Sequence, residues 1–119
     1  MIRREAYDDA GRFDEQFYPA WYEDVDFCWK LKRRGWQAYF APQAEFLHDG
    51  GYSATALGTE AFPYTYYRNQ ARYVEKWFGG GASFAVRASV VAGMLGRMIG
   101  RPASASAYGR VLIGALTGW

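Results

Sequence analysis

Trp21-Tyr22-Glu23-Asp24-Val25-Asp26-Phe27-Cys28-Trp29-Lys30, continued by Leu31-Lys32-Arg33-Arg34-Gly35-Trp36, is the stretch whose reading decides the fold. Its carboxylates Glu23, Asp24 and Asp26 are fenced by aromatic residues and open a helix over Asp24 to Arg34. Glu23 or Asp24 can cap the first turn, where a carboxylate accepts unpaired backbone N–H groups and faces the positive end of the helix dipole. Val25, Cys28 and Trp29 fall at i, i+3 and i+4 and predict an apolar stripe, with Phe27 and Leu31 four apart beside it. Lys30, Lys32, Arg33 and Arg34 crowd the last turn and suit the negative dipole end, and Gly35 is a C-terminal stop.

Two residues turn a helix by about 200°, so Asp24 and Asp26 lie on different faces. Glu23 and Asp26 share one, and Lys30 lies four positions beyond Asp26. The cluster therefore offers one carboxylate at the helix mouth and a second ion-paired along the helix. Carboxylates this close raise at least one pKa, as a general base requires. The same residues also suit a plain, well-capped surface helix.

The 119 residues are enough for one small domain, and with half of them hydrophobic and 19% aromatic a core can form. A net charge of +2 gives no reason to expect a nucleic-acid partner. The distribution of charge is more informative. Every Asp and Glu lies at or before Glu75, after which come Lys76, Arg87, Arg97, Arg101 and Arg110 with no acid between them. A basic, acid-free tail points to a membrane surface or an acidic partner. The single cysteine, Cys28, excludes an intrachain disulfide, fits a reducing compartment and is expected as a packed thiol. Arg3, Arg4 and Glu5 directly after the start do not read as a signal peptide. No run of about 18 apolar residues is evident, so no membrane span is predicted.

In chain order, Arg3 to Ala10 reads as a short helix stopped at Gly11. Phe13 to Pro19 is an aromatic loop in which Asp14 can cap a turn. Trp36 to Ala41 and Gln43 to His48 are strand candidates, the first stopped by Pro42. Tyr52 to Thr59 reads as a mobile loop. A helix starts at Thr59, with Pro63 in its first turn and Tyr67, Ala71, Val74 and Phe78 as its stripe. Gly79-Gly80-Gly81 is the linker. Phe84, Ala88, Val91, Leu95 and Met98 form another helical stripe, and Tyr108, Val111, Leu112 and Ala115 a last short helix. The predicted class is α+β: short helices flanking a small sheet or hairpin over residues 1–79, then an all-helical tail over residues 80–119. The strands would leave edges and an apolar face uncovered, which favours self-association.

His48, the only histidine, ends a strand candidate just before Asp49-Gly50-Gly51, where a ligand can approach, and is a candidate metal ligand. Taken in order, Phe13-Asp14-Glu15, Glu23-Asp24-Val25-Asp26, Gly35-Trp36, Pro42, His48 and Ser53 resemble the C-terminal, acceptor-side half of family-two glycosyltransferases of the GT-A fold, in particular the rhamnosyltransferase type. Each motif is weak alone; the ordered series over residues 2 to 78 is specific. Lys30 departs from the family's usual arginine, which alone could clamp a carboxylate bidentately.

The resemblance implies roles. Asp24 would be the general base of an inverting transfer. Trp21 and Tyr22 would pack against the acceptor sugar, and Glu23 and Asp26 would shape the acceptor side. His48 would help hold a divalent metal, Mg or Mn, in the full-length enzyme. The donor would be a nucleotide sugar such as dTDP-rhamnose, and the acceptor a glycan or lipid-linked glycan of cell-surface polysaccharide synthesis. The setting would be cytoplasmic, on the inner face of the plasma membrane. The nucleotide-binding βαβ half has no counterpart in these residues, so the chain is expected to be incomplete and inactive alone. Asp24-Val25-Asp26 is not the family's metal motif, because it opens a helix where that motif follows a strand. The competing reading is a non-catalytic module that binds carbohydrate or a membrane surface.

Overall fold

The computed structural model describes residues 1–47 and 52–119, with the backbone alone over 52–60. The chain runs through α1 (Arg4–Asp9), a 3-10 turn (Glu15–Phe17), α2 (Glu23–Arg33), α3 (Tyr52–Gly100), a second 3-10 turn (Pro102–Ser104) and α4 (Ala105–Thr117). Among the described residues there is no strand, so the expected α+β class with its small sheet or hairpin is corrected to a helical fold. Residues 36–47 contain the expected strand segments, but they carry only a turn at 42–43. A strand is stable only when its N–H and C=O groups pair across a ladder. Aromatic, alternating sequence cannot supply that pairing, and Tyr39, Phe40, Phe46 and Leu47 stand exposed instead.

The long helix also differs from expectation. It begins at Tyr52, so the stretch to Thr59 that was expected as a loop is helical. A straight helix of 49 residues would measure roughly 73 Å, yet the longest dimension of the molecule is 47 Å. The backbone reverses at Gly79, whose φ of +84° favours glycine. After the turn, Ser83 Oγ donates to the Ala71 carbonyl at 3.4 Å, although these residues would be about 18 Å apart along an unbroken helix. Residues 52–78 and 80–100 are thus two antiparallel limbs. Val90 and Met94 of the second limb and Val111 and Ala115 of α4 form a buried cluster, with Tyr64 and Tyr67 of the first limb packed against it. The stretch Ala61–Gly100 contains an apolar window long enough to cross a membrane, little of it buried, which corrects the expectation that none exists.

The amino-terminal helices form a second, aromatic cluster. The Phe27 ring sits 4.7 Å from Phe13 and 5.6 Å from Tyr7. The fully buried residues of α2 are Asp26 and Phe27, and Trp29 packs half-buried against Trp77 and Phe78, while Val25 and Cys28 are exposed. The expected Val25–Cys28–Trp29 stripe is therefore rotated, and Cys28 is a surface thiol. The reason lies on both sides of the helix: Phe27 is drawn to α1, and Asp26 to a lysine of α3.

Candidate functional site

Helix α2 starts from an unusual backbone. Trp21 and Tyr22 both take left-handed conformations, with φ of +68° and +73°. Two such non-glycine residues in succession cost free energy, on the order of 1–3 kcal/mol each, and persist only where the surroundings hold them. Tyr22 is the N-cap and caps with no side-chain bond. The carboxylates instead fall in the first turn, where Asp24 Oδ1 accepts the N–H of Val25 at 2.8 Å. At the far end the cap is as expected. Gly35, at φ +83°, donates to Lys32 O and Trp36 donates to Leu31 O, a Schellman arrangement.

What holds the strained pair is the polar row of α3. Asn69, wholly buried, gives its Nδ2 to the carbonyls of Phe17, Ala20 and Trp21 at 2.6, 2.8 and 3.1 Å. Arg68 donates to Tyr18 O at 2.6 Å and Arg72 to Gln16 O at 2.8 Å. Lys76 reaches Asp14 at 2.7 Å and Asp26 at 2.6 Å. Arg68, Arg72 and Lys76 stand at i, i+4 and i+8, so one helix face grips the whole 14–26 segment. Asp14 also caps the 3-10 turn through the Gln16 N–H, as its sequence position predicted.

The site residues inferred from sequence separate into distinct environments. Asp26 is fully buried. It is bound by Lys76, by the Trp77 indole N–H at 2.7 Å and by Lys30 at 3.5 Å, so it anchors α2 on α3. Asp24 is exposed, and among the described residues only the Val25 N–H bonds to it. Glu23 lines a cleft of about 370 Å³ with Phe13, Phe17, Tyr18 and Pro19. Among the described residues its buried Oε2 has no hydrogen-bond partner. Trp21 packs edge-on against Phe62 at 4.6 Å, and Tyr22 lies 5.5 Å from both Tyr66 and Tyr73. Both rings remain half-buried. Phe62 and Tyr66 also line, with Tyr67, Met94, Arg97 and Tyr108, a cleft of about 430 Å³ against the tail.

His48 lies outside the described residues. Among the described residues no group of three or more His, Cys, Asp or Glu side chains converges, so they do not by themselves make a metal centre.

The electrostatics follow the ion pairs. Burial alone would lower the Lys76 pKa, but its bonds to Asp14 and Asp26 outweigh that and hold it above the usual lysine value. Burial alone would raise Asp14, and Lys76 with the Gln16 groups outweighs it and holds the carboxyl low. The Tyr22 hydroxyl is pushed up, first by burial and then by Tyr66. Asn69 and the cationic row were not singled out from sequence. The signal was there: a polar side chain, Asn69, interrupts the aromatic stripe of α3, with cations at four-residue spacing beside it.

Comparison with known proteins gives partial matches. The chain is 38% identical over 53 residues to an N-acetylglucosaminyl-diphospho-decaprenol L-rhamnosyltransferase of Mycobacterium tuberculosis, covering 44% of this chain and 17% of that protein. It is 40% identical over 47 residues to a galactofuranosyl glycosyltransferase of Leishmania donovani, covering 40% of this chain and 11% of that protein. The likeness is to glycosyltransferases. The matches span less than a fifth of either relative. No family model matches the chain. No solved structure matches it either.

Proposed function

We propose that these residues are the acceptor-side, base-bearing part of an inverting glycosyltransferase. The sugar is of rhamnose type, moved from a nucleotide sugar to a glycan or lipid-linked acceptor. The acceptor hydroxyl oxygen forms the new bond to the anomeric carbon as the bond to the nucleotide diphosphate breaks on the opposite side. Asp24 takes the hydroxyl proton. The observation that carries this reading is the division of labour in the acidic cluster: Asp26 is committed to Lys76 and Trp77, while Asp24 faces solvent at the helix mouth. The support from known proteins is the likeness to two glycosyltransferases. Half-buried Trp21 and Tyr22 stand next to the carboxylate, where an aromatic face suits the C–H side of a sugar ring. The donor, with the divalent cation that balances its diphosphate, would be held by residues beyond those described.

A second reading assigns the base to Glu23, because its buried Oε2 lacks a hydrogen-bond partner among the described residues and it lines the cleft beside Phe17 and Pro19. Supplied alone with a nucleotide-sugar panel, the 119 residues are expected to give no turnover, since a base without a positioned donor loses proximity and electrostatic stabilisation. In a chain that joins them to a nucleotide-sugar-binding half, Asp24→Asn should lower turnover about a thousandfold with an unchanged circular dichroism spectrum. Full turnover by that variant defeats the assignment to Asp24, and loss in Glu23→Gln instead selects the second reading. Full turnover in both variants leaves only the non-catalytic, glycan-binding alternative for this stretch.

A further inference from the structure

Three helical segments close around the cleft of about 430 Å³. The first limb of α3 supplies Phe62 and Tyr66, the second Met94 and Arg97, and the start of α4 Ser104 and Tyr108. Each pair stands three or four positions apart and so shares a face of its segment. The volume falls in the range of small-molecule sites, roughly 300–1,000 Å³. The Phe62 and Tyr66 rings lie nearly parallel, at 18° with centroids 6.3 Å apart. Trp21 meets Phe62 edge-on at 4.6 Å and Tyr22 lies 5.5 Å from Tyr66, so a run of rings leads from the mouth of α2 into the cleft. Flat faces of this kind suit the C–H side of a sugar ring, and tyrosine and serine hydroxyls in the lining suit its hydroxyl groups.

Among the described residues Arg97 is the only charged group that lines this cleft. Its Nη1 donates to Gly93 O at 3.2 Å. A Cβ at position 93 would stand 3.0 Å from that nitrogen, so glycine there lets the guanidinium lie along its own helix. One carbonyl engages one of the five donors that an arginine carries. Arg12, Lys30, Arg34 and Lys76 each pair with an aspartate. Among the described residues no carboxylate pairs with Arg97 or lines the cleft. A guanidinium fork left without a carboxylate, in an aromatic recess, matches an anion that offers two oxygens, a phosphate or a carboxylate.

We propose that this cleft binds a sugar that carries an anionic group, with its ring against Phe62 and Tyr66 and its phosphate or carboxylate on Arg97. A neutral sugar would leave the arginine without a counter-charge, and a bare anion would leave the aromatic walls uncovered. That the bound sugar is the acceptor rests on the transfer reading. The binding itself does not, and it is measured without donor or turnover. Failure to bind would leave the assignment of Asp24 as base standing, and full turnover by Asp24→Asn would leave the binding standing.

The test measures dissociation constants of the 119-residue chain for glucose 1-phosphate, glucuronate, glucose and inorganic phosphate by ligand-detected nuclear magnetic resonance. At least one of the two anionic sugars should bind about tenfold more tightly than both glucose and inorganic phosphate, and its affinity should fall as sodium chloride is added. Whichever of the two binds more tightly names the source of the charge. Arg97→Gln should weaken that binding at least about tenfold, with an unchanged circular dichroism spectrum. Arg101→Gln, which removes a charge that does not line the cleft, should leave it unchanged. Phe62→Leu should weaken the anionic sugar and glucose alike. Binding of neither anionic sugar overturns the proposal, as does glucose or inorganic phosphate binding as tightly. So does an Arg97→Gln variant that binds like the parent chain, an equal loss in Arg101→Gln, or unchanged sugar binding in Phe62→Leu.

Discussion

Asn69 Nδ2 lies 2.6 Å from the carbonyl oxygen of Phe17, across 52 positions of sequence. The same nitrogen reaches Ala20 O and Trp21 O, so one amide fixes the backbone that turns into the left-handed Trp21–Tyr22 pair. Asn69→Ala would leave those carbonyls unpaired beside an apolar side chain. We expect a loss of about 2–3 kcal/mol in stability, read from the urea midpoint, with loss of near-ultraviolet dichroism from Trp21. Asn69→Asp should be at least as damaging, because a carboxylate has no hydrogen to give to a carbonyl. A midpoint shift near zero for both variants would show that the loop is held by Arg68 and Arg72 alone.

Asp26 is a buried charge whose neutrality depends on Lys76. Lys76→Met leaves it with Lys30 at 3.5 Å and the Trp77 N–H. Removing one partner of a buried pair strands the other, and about 3 kcal/mol should be lost. Adding Asp26→Asn should restore more than half of that, since the amide oxygen can still accept from Trp77. A double variant as unstable as the sum of the two single ones would contradict coupling between these residues.

The pH profile follows from the same groups. Lys76 titrates above its ordinary 10.5 in the folded chain, so its contribution is complete below 10.5 and is lost as pH rises through the higher folded value. Tyr22 and Tyr73, both raised first by burial, act in the same direction above 10.0. Asp14 titrates below its ordinary 3.8, so its contribution is present above 3.8 and is lost as pH falls through the lower folded value. Urea midpoints should therefore be flat through neutral pH and fall at both extremes. Lys76→Met should shrink the fall on both sides, because Asp14 loses its partner as well. An acid limb unchanged in that variant would show that Asp14 is held low by Gln16 instead.

Asp24 and Asp26 sit two residues apart and should respond oppositely to amidation. Asp26→Asn should cost stability and move the thermal midpoint, while Asp24→Asn should leave the midpoint within about 1 °C, since among the described residues its carboxylate holds only the Val25 N–H. Differential scanning calorimetry of the two variants separates the roles. A larger loss for Asp24→Asn than for Asp26→Asn would reverse the assignment of which carboxylate is structural.

Local chemistry was legible in the sequence, and chemistry completed at a distance was not. Gly35 as a stop, Asp14 as a cap and the Asp26–Lys30 pair each depend on residues within one or two turns, and all three are found. Burial of Asp26 depends on Lys76 and Trp77, which local spacing could not place beside it. The apolar stripe of α2 was misplaced for the same reason: Phe27 answers to Tyr7 and Phe13, not to its own helix. Trp36 to Leu47 has the composition of strands but, among the described residues, no ladder to join. The acidic start of α2 was recognisable as a candidate site; the amide and cations that hold it in place were not.

The row Arg68, Asn69, Arg72 and Lys76 acts as a toothed edge, and teeth must keep phase. Inserting one residue between Asn69 and Lys76 would rotate the lower tooth by about 100° relative to the upper one. Lys76 would then miss Asp14 and Asp26 while Asn69 still held Phe17. Seven inserted residues would restore the angle to within about 20° but displace the tooth by about 10 Å. This part of the chain should therefore tolerate substitution at many positions and changes of length at almost none.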